Sequence, residues 1–276
     1  MGFSVGIDIG GTTTDLVAFN GDVMLEPVSV SASDPIASAT GALGKFLLTH
    51  KLPLSAIDNI GLTGVGSTFF EDQILGLPIQ MVSEFEAIGR GGAYLSGEAS
   101  GLVVSMGTGT AMVYFDQDSV QHVGGSGIGG GTLKGLAHAI LGISDLQLLE
   151  KMSEVGDLKN VDLRVGDIVD KAIDGLPAHL TASNFGKSHD SASAEDYAVA
   201  ILNMICQSVG VLANAHAMVK GTNTIIVTGK LATLGHAKQV FDQLSVLYNK
   251  RYIIVPQAAS ATAVGAALIQ QKSPST

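Results

Sequence analysis

The chain has one cysteine, Cys206, in 276 residues. One thiol excludes an intrachain disulfide, a four-cysteine zinc site and an iron-sulfur cluster held within a single chain. Charge is scarce as well: charged residues make up 14%, against about 25% in an ordinary domain, so uncharged polar groups and glycine backbone must cover much of the surface. Fifteen basic residues face twenty-five acidic ones, for a formal charge of -10. No run of Lys or Arg could follow a phosphate backbone, so a small-molecule partner is expected and nucleic acid is not. The amino terminus lacks the basic and apolar regions of a secretory signal, and with a lone thiol this fits a cytoplasmic protein.

Apolar residues and glycine are abundant. Hydrophobic residues make up 46%, and at roughly 150 residues per domain the length suggests about two compact units. Residues 197–219 carry no formal charge over a membrane-spanning length, but Asn203, Gln207, Ser208, Asn214 and His216 interrupt them at helical spacing. Amide and imidazole groups are costly in hydrocarbon, so a packed core helix is expected and a membrane span is not. The 35 glycines are about one residue in eight and follow no collagen-like period. They must lie where side chains would obstruct something.

Residues 4–9 read as a strand, followed by a Gly10-Gly11 turn and a second strand over 15–19. The arrangement recurs: Gly11, Thr12, Thr14, Leu16, Val17 and Phe19 lie over Gly107, Thr108, Thr110, Met112, Val113 and Phe115 at one constant offset of 96. Two copies with helical patterns between them indicate duplicated α/β domains. Helices are predicted over 35–50, 85–95, 132–141, 194–220, 236–248 and 259–271, with strands over 57–63, 79–82, 224–227 and 252–255. A more polar, mainly helical stretch over 145–190 reads as a cap or insertion.

Asp8-Ile9-Gly10-Gly11-Thr12-Thr13-Thr14 sets a carboxylate at a strand end before two glycines and three hydroxyl donors. Backbone N–H groups in such a turn form an anion-binding hollow, and a nearby Asp can hold Mg²⁺ through its water shell. The plain alternative is a hairpin turn, but Gly107-Thr108-Gly109-Thr110 at the equivalent place favours two turns facing one polyphosphate. The cluster from Gly124 and Gly125 to Gly129, Gly130 and Gly131 precedes a helix, whose free N–H groups and dipole suit a phosphate; a flexible loop is the alternative. There is neither a P-loop nor a strand-linked dinucleotide fingerprint. Glu84 stands where a strand passes into a helix, able either to accept a hydroxyl proton or to be a solvated acid of the first turn. Gly229 and Lys230 follow a buried strand and can meet a nucleotide or cap it. His122 fits no metal pattern, and the small residues over 259–267 read as close packing.

Taken in order, these motifs resemble the acetate and sugar kinase, Hsp70 and actin superfamily and, within it, bacterial type II pantothenate kinases. The kinase-like motifs are Ser83-Glu84-Phe85-Glu86-Ala87, Val123-Gly124-Gly125 running to Gly129-Gly130-Gly131, and Leu180-Thr181-Ala182-Ser183-Asn184-Phe185-Gly186. The resemblance implies an α/β fold of duplicated actin-like ATPase (ribonuclease H-like) domains around a nucleotide cleft, over 1–101 and 102–276, with a helical insertion at about 143–195. It also implies ATP and Mg²⁺ as cofactors, transfer of the γ-phosphoryl group to the primary hydroxyl of pantothenate at the first step of coenzyme A biosynthesis, and a homodimer.

Under that resemblance Glu84 matches the catalytic base and Asp8 the acid that organises Mg²⁺ through water. Gly10, Gly11, Thr12, Thr13, Gly107, Thr108, Gly109, Gly129, Gly130, Gly131 and Gly229 fall among the nucleotide contacts, and His122, Gly124 and Gly125 beside the acceptor. Two positions depart from the family: Asp15 stands where a lysine is usual, and His122 where an arginine is usual. Both changes subtract fixed positive charge. They leave two alternatives open, a kinase of an uncharged pantoyl compound such as pantetheine, and a nucleotide-binding regulatory protein without catalysis. Zinc-containing sugar kinases and cluster-bearing dehydratase activators are disfavoured by the single cysteine.

Overall fold

The computed structural model describes residues 2–31, 34–169, 177–187 and 191–271. The apolar opening forms β1 (Phe3–Ile9), which turns back into β2 (Thr13–Asn20). Two short strands, β3 (Val23–Met24) and β4 (Val28–Ser31), line the outer edge of β2. Helix α1 (Pro35–His50) follows, with Asp34 accepting the Ala37 N–H and Pro35 in the first turn, where its missing N–H costs nothing. It ends at Lys51 in the left-handed region. Strands β5 (Ile57–Thr63), β6 (Gln73–Ile74) and β7 (Leu77–Met81) complete a seven-stranded sheet of order β3-β2-β1-β5-β7-β6, with β4 beside β2. Alternate residues of β1 and β5, among them Val5, Ile7, Ile60 and Leu62, bury against Ala39, Leu43 and Phe46 of α1.

After α2 (Glu84–Ser96) the pattern repeats. Strands β8 (Gly101–Met106), β9 (Thr110–Phe115) and β10 (Val120–Ser126) lead to α3 (Gly130–Leu141) and α4 (Leu146–Ser153). A small hairpin, β11 (Leu163–Arg164) with β12 (Thr181–Ser183), flanks the one-turn α5 (Val165–Ile168). Then come α6 (Ala194–Val219), β13 (Thr224–Thr228), α7 (Gly235–Tyr248), β14 (Arg251–Ile254) and α8 (Ala261–Gln271). The second sheet has the order β10-β9-β8-β13-β14. In both sheets an antiparallel hairpin is extended by two parallel strands: β2-β1-β5-β7 matches β9-β8-β13-β14.

The halves exchange their last helices. Helix α2 packs on β8, β9 and β10, whereas α8 packs on β1, β5 and β2. The two helices cross at bare backbone: a Cβ at Gly91 would fall on the Ala261 carbonyl, and one at Gly265 on the Ala87 carbonyl. Gly6 and Gly61 likewise leave room for the backbone of α8. The expected division between residues 101 and 102 falls one residue inside β8, and the exchanged helices pack across it.

The stretch over 145–190 is less helical than its polarity suggested, since the hairpin β11–β12 forms there. Its anchor is Asp162, fully buried, which accepts from Thr181 Oγ1 (3.0 Å), Asn184 Nδ2 (3.3 Å), Asn203 Nδ2 (3.0 Å) and the Phe185 N–H (2.9 Å). The predicted helical residues 170–176 and 188–190 lie outside the described residues. Helix α6 is long and apolar enough to cross a membrane, but most of that apolar window is buried and it is a core helix. Two of its amides have amide or carboxylate partners, Asn203 on Asp162 and Gln207 accepting from Asn184, whereas Asn214 Oδ1 is buried without one among the described residues.

Candidate active site

The first glycine turn closes with the Gly10 N–H on the Thr13 carbonyl at 3.0 Å, which leaves Gly11 and Thr12 exposed at its tip. The tip faces the other half: a Cβ on Gly11 would lie 3.2 Å from Thr108 Oγ1. The duplicated turns are thus brought together at the head of a shared cleft, with Gly107 and Thr108 exposed on the far side.

Not all of the predicted hydroxyl donors face that cleft. Thr13 Oγ1 donates to Asp15 Oδ2 at 3.2 Å, and buried Thr14 donates to Ser38 of α1 at 2.9 Å. Thr110 is turned to the Ile128 carbonyl at 2.7 Å. Thr12 and Thr108 are the exposed ones, whereas the Thr13 hydroxyl is turned to Asp15.

The third glycine cluster also differs from expectation. Its N–H groups are not free: Gly130 donates to the Gly107 carbonyl and Gly131 to the Thr108 carbonyl, each at 2.8 Å, while Gly129 donates to Thr132 Oγ1 at 3.2 Å. The start of α3 braces the second turn from behind, and the absence of side chains lets the two backbones touch. Gly124 has a packing role of its own, since the space a Cβ would take is filled by the His216 imidazole of α6. Gly125 lies against the Thr110 carbonyl and remains exposed.

Three carboxylates gather at the cleft. Asp8 and Asp15 are directly opposed across β1 and β2, which places like charges on one face at unfavourable range. Burial, then the Glu84 and Asp15 charges, push the Asp8 carboxyl up to about 7. Burial also raises Asp15, opposed by the neighbouring Ser29 hydroxyl, the Lys230 charge and the Thr13 hydroxyl. Asp15 Oδ1 is buried with no partner among the described residues. Such unrelieved negative charge is what a hydrated divalent cation neutralises, so Asp8 suits Mg²⁺ held through its water shell, while no three ligating side chains converge to bind it directly among the described residues.

Glu84 opens α2 and reaches solvent, and desolvation by its surroundings lifts its carboxyl above the ordinary range. Beside it Phe85 stacks on His122 of β10, with ring centroids 3.9 Å apart and planes 12° from parallel. The stack ties the Glu84 helix start to the predicted acceptor side of the cleft.

Sequence reading overlooked two site residues. Phe85 falls inside the 83–87 motif, and its stacking partner lies on a strand far along the chain. Gly64, at φ 86°, ends β5 with its backbone so close to Asp8 that a Cβ would strike the carboxylate. Its counterpart Gly229, at φ 88°, ends β13 against the Met106 backbone. The signal was present as a Thr-Gly pair after each apolar strand, at 63–64 and 228–229. Cys206 is buried in α6 with its thiol pushed up to about 12, so it presents no metal-binding thiolate.

Two sheets with a matching strand order, paired glycine turns and a cleft between them define the duplicated actin-like ATPase fold. Solved structures agree: an activator of 2-hydroxyisocaproyl-CoA dehydratase from Clostridium difficile with bound ADPNP aligns with TM-score 0.69 at 16% identity, covering 99% of both chains. A ROK hexokinase from Thermus thermophilus aligns with TM-score 0.56 at 15% identity, covering 98% of this chain and all of that one. Residues 100–249, more than half of the chain, match the family described as Fumble, and the chain belongs to that family. It is 26% identical over 280 residues to the type II pantothenate kinase of Bacillus cereus (strain G9842), spanning 96% of this chain and 97% of that protein. It is 28% identical over 225 residues to that of Staphylococcus aureus (strain USA300), spanning 78% and 84%.

Proposed function

We propose that the protein is an ATP-dependent kinase that phosphorylates the primary hydroxyl of pantothenate, the entry step of coenzyme A biosynthesis. The observation that carries this reading is the approach of Gly11 to Thr108, which brings the two duplicated turns side by side, with Glu84 on the acceptor side. The relatives named type II pantothenate kinase supply the acceptor.

In this reading the exposed backbone and hydroxyls of Gly11, Thr12, Gly107 and Thr108 hold the triphosphate, and Gly109 with the start of α3 keeps the second turn in shape. Gly64 and Gly229 let the strand ends come close to it. Asp8 would hold Mg²⁺ through water, and such a cation would supply neutralisation of phosphate charge. Glu84 accepts the proton of the acceptor hydroxyl as the oxygen attacks the γ-phosphorus and ADP departs. Its raised carboxyl is a stronger base than a free glutamate. Phosphoryl transfer passes through a loose transition state, so positioning and charge neutralisation account for most of the catalysis. The stacked Phe85 and His122 form the wall against which the acceptor rests.

The protein is further proposed to work as a cytoplasmic homodimer. Support comes from α6, whose outer face exposes Val211, Ala215, Met218 and Val219 at helical spacing. A coupled ADP-release assay with pantothenate, pantetheine and simple sugars tests the activity. Pantothenate-dependent turnover is expected. Turnover with pantetheine alone would transfer the reading to an uncharged pantoyl acceptor, and nucleotide binding without turnover on any acceptor would reject the kinase.

A further inference from the structure

The turns that face each other supply backbone and hydroxyl groups but no formal positive charge, and the side chains around them are the acids Asp8, Asp15 and Glu84. A nucleotide bringing several negative charges there requires a fixed cation to offset them. Lys230 stands where one is needed. Gly229 at φ 88° has no room for a side chain, since a Cβ would lie 2.5 Å from the Met106 carbonyl oxygen. The backbone carrying Lys230 is therefore pressed onto the residue that precedes the second turn. The Gly229 N–H also donates to the Ala258 carbonyl at 2.7 Å, and residues 258–260 pack against β2. Lys230 is thus set between the second turn and the first hairpin, with its side chain exposed. On the opposite half Asp15, 5% exposed, has one carboxylate oxygen without a partner among the described residues, and it feels the Lys230 charge.

We propose that Lys230 is the cation that binds the β- and γ-phosphates of the nucleotide, and that Asp15, from the other half of the molecule, is the positioning residue that aims it into the cleft. An ammonium held between a buried carboxylate and a phosphate oxygen is satisfied on both sides, and each contact is a charge-assisted hydrogen bond. This assignment rests on the nucleotide site proposed above.

Calorimetry on the intact protein tests it, with ATP and AMP titrated in EDTA so that no divalent cation contributes, into wild type, K230M, D15N and the double variant. K230M is expected to weaken ATP about 10- to 100-fold while AMP changes less than about twofold. D15N is expected to weaken ATP about threefold or more when Lys230 is present and to have no further effect in K230M, the coupling that two contacting groups show. ATP affinity unchanged in K230M, or an equal loss for ATP and AMP, would overturn the role of Lys230. An equal D15N effect in both backgrounds would overturn that of Asp15. A wild type that binds neither nucleotide would instead remove the nucleotide site itself. Lys230 is exposed, so K230M decides the main claim even if a thermal melt shows D15N to be unfolded.

Discussion

At the scale of single residues, the site divides into groups that touch the reaction and groups that hold them. Replacing Glu84 with Gln removes the proton acceptor while keeping size and hydrogen-bonding capacity, so kcat is expected to fall by about 10²- to 10⁴-fold with the KM for ATP little changed. Steady-state kinetics checks this, and a variant with wild-type kcat would remove Glu84 from the chemistry. Asp8 makes a second prediction. Its carboxyl rises from 3.8 to about 7 on folding, so the folded protein binds the proton more tightly, and the stability this contributes is full below about pH 4 and drains away as pH climbs to 7. D8N abolishes that drain. It should be more stable than wild type by about 1 to 3 kcal/mol at pH 8, with the advantage vanishing near pH 4. Melts at the two pH values decide it, and an advantage independent of pH would assign the gain to something other than this carboxyl.

The same scale shows what could be read from the chain alone. Gly11, Thr108 and Asp8 were legible because a glycine-threonine turn behind a strand, repeated at a constant offset, has few other uses. The hydroxyls of Thr13 and Thr14 were not, because their partners Asp15 and Ser38 are set by the hairpin register and by the seat of α1. The pairing of Phe85 with His122 joins two strongly separated segments and leaves no local mark.

At the scale of elements, hydrophobic period found the long helices and buried strands but not β3, β4 or β6, which are two to four residues long. The crossing of α2 and α8 was half legible: small residues over 259–267 implied a close approach, but nothing in the sequence names the helix they approach. Since each glycine at the crossing faces a carbonyl of the other helix, Gly91→Ala and Gly265→Ala should each destabilise by about 2 kcal/mol or more. Denaturant unfolding measures this, and a neutral result at both sites would mean the helices can separate freely. The 181–186 motif behaves similarly as an element. Asp162→Ala strands four donors in the interior and should cost roughly 3 kcal/mol, whereas a surface-like cost below about 0.5 kcal/mol would show that the hairpin does not depend on it.

At the scale of the whole molecule, a nucleotide gripped by both turns stabilises both halves. ATP at about 100 times its Kd should raise unfolding stability by about 2.7 kcal/mol in a single transition, and calorimetric scanning would reveal two separate transitions if the halves melted independently. The duplication was evident from the repeated hairpin, because a turn sequence is local. The exchange of terminal helices was not, because it is a property of how two copies close on each other. That exchange has a mechanical consequence. The reciprocal contacts of Gly91 with Ala261 and Gly265 with Ala87 act as a rivet that fastens the two halves backbone to backbone.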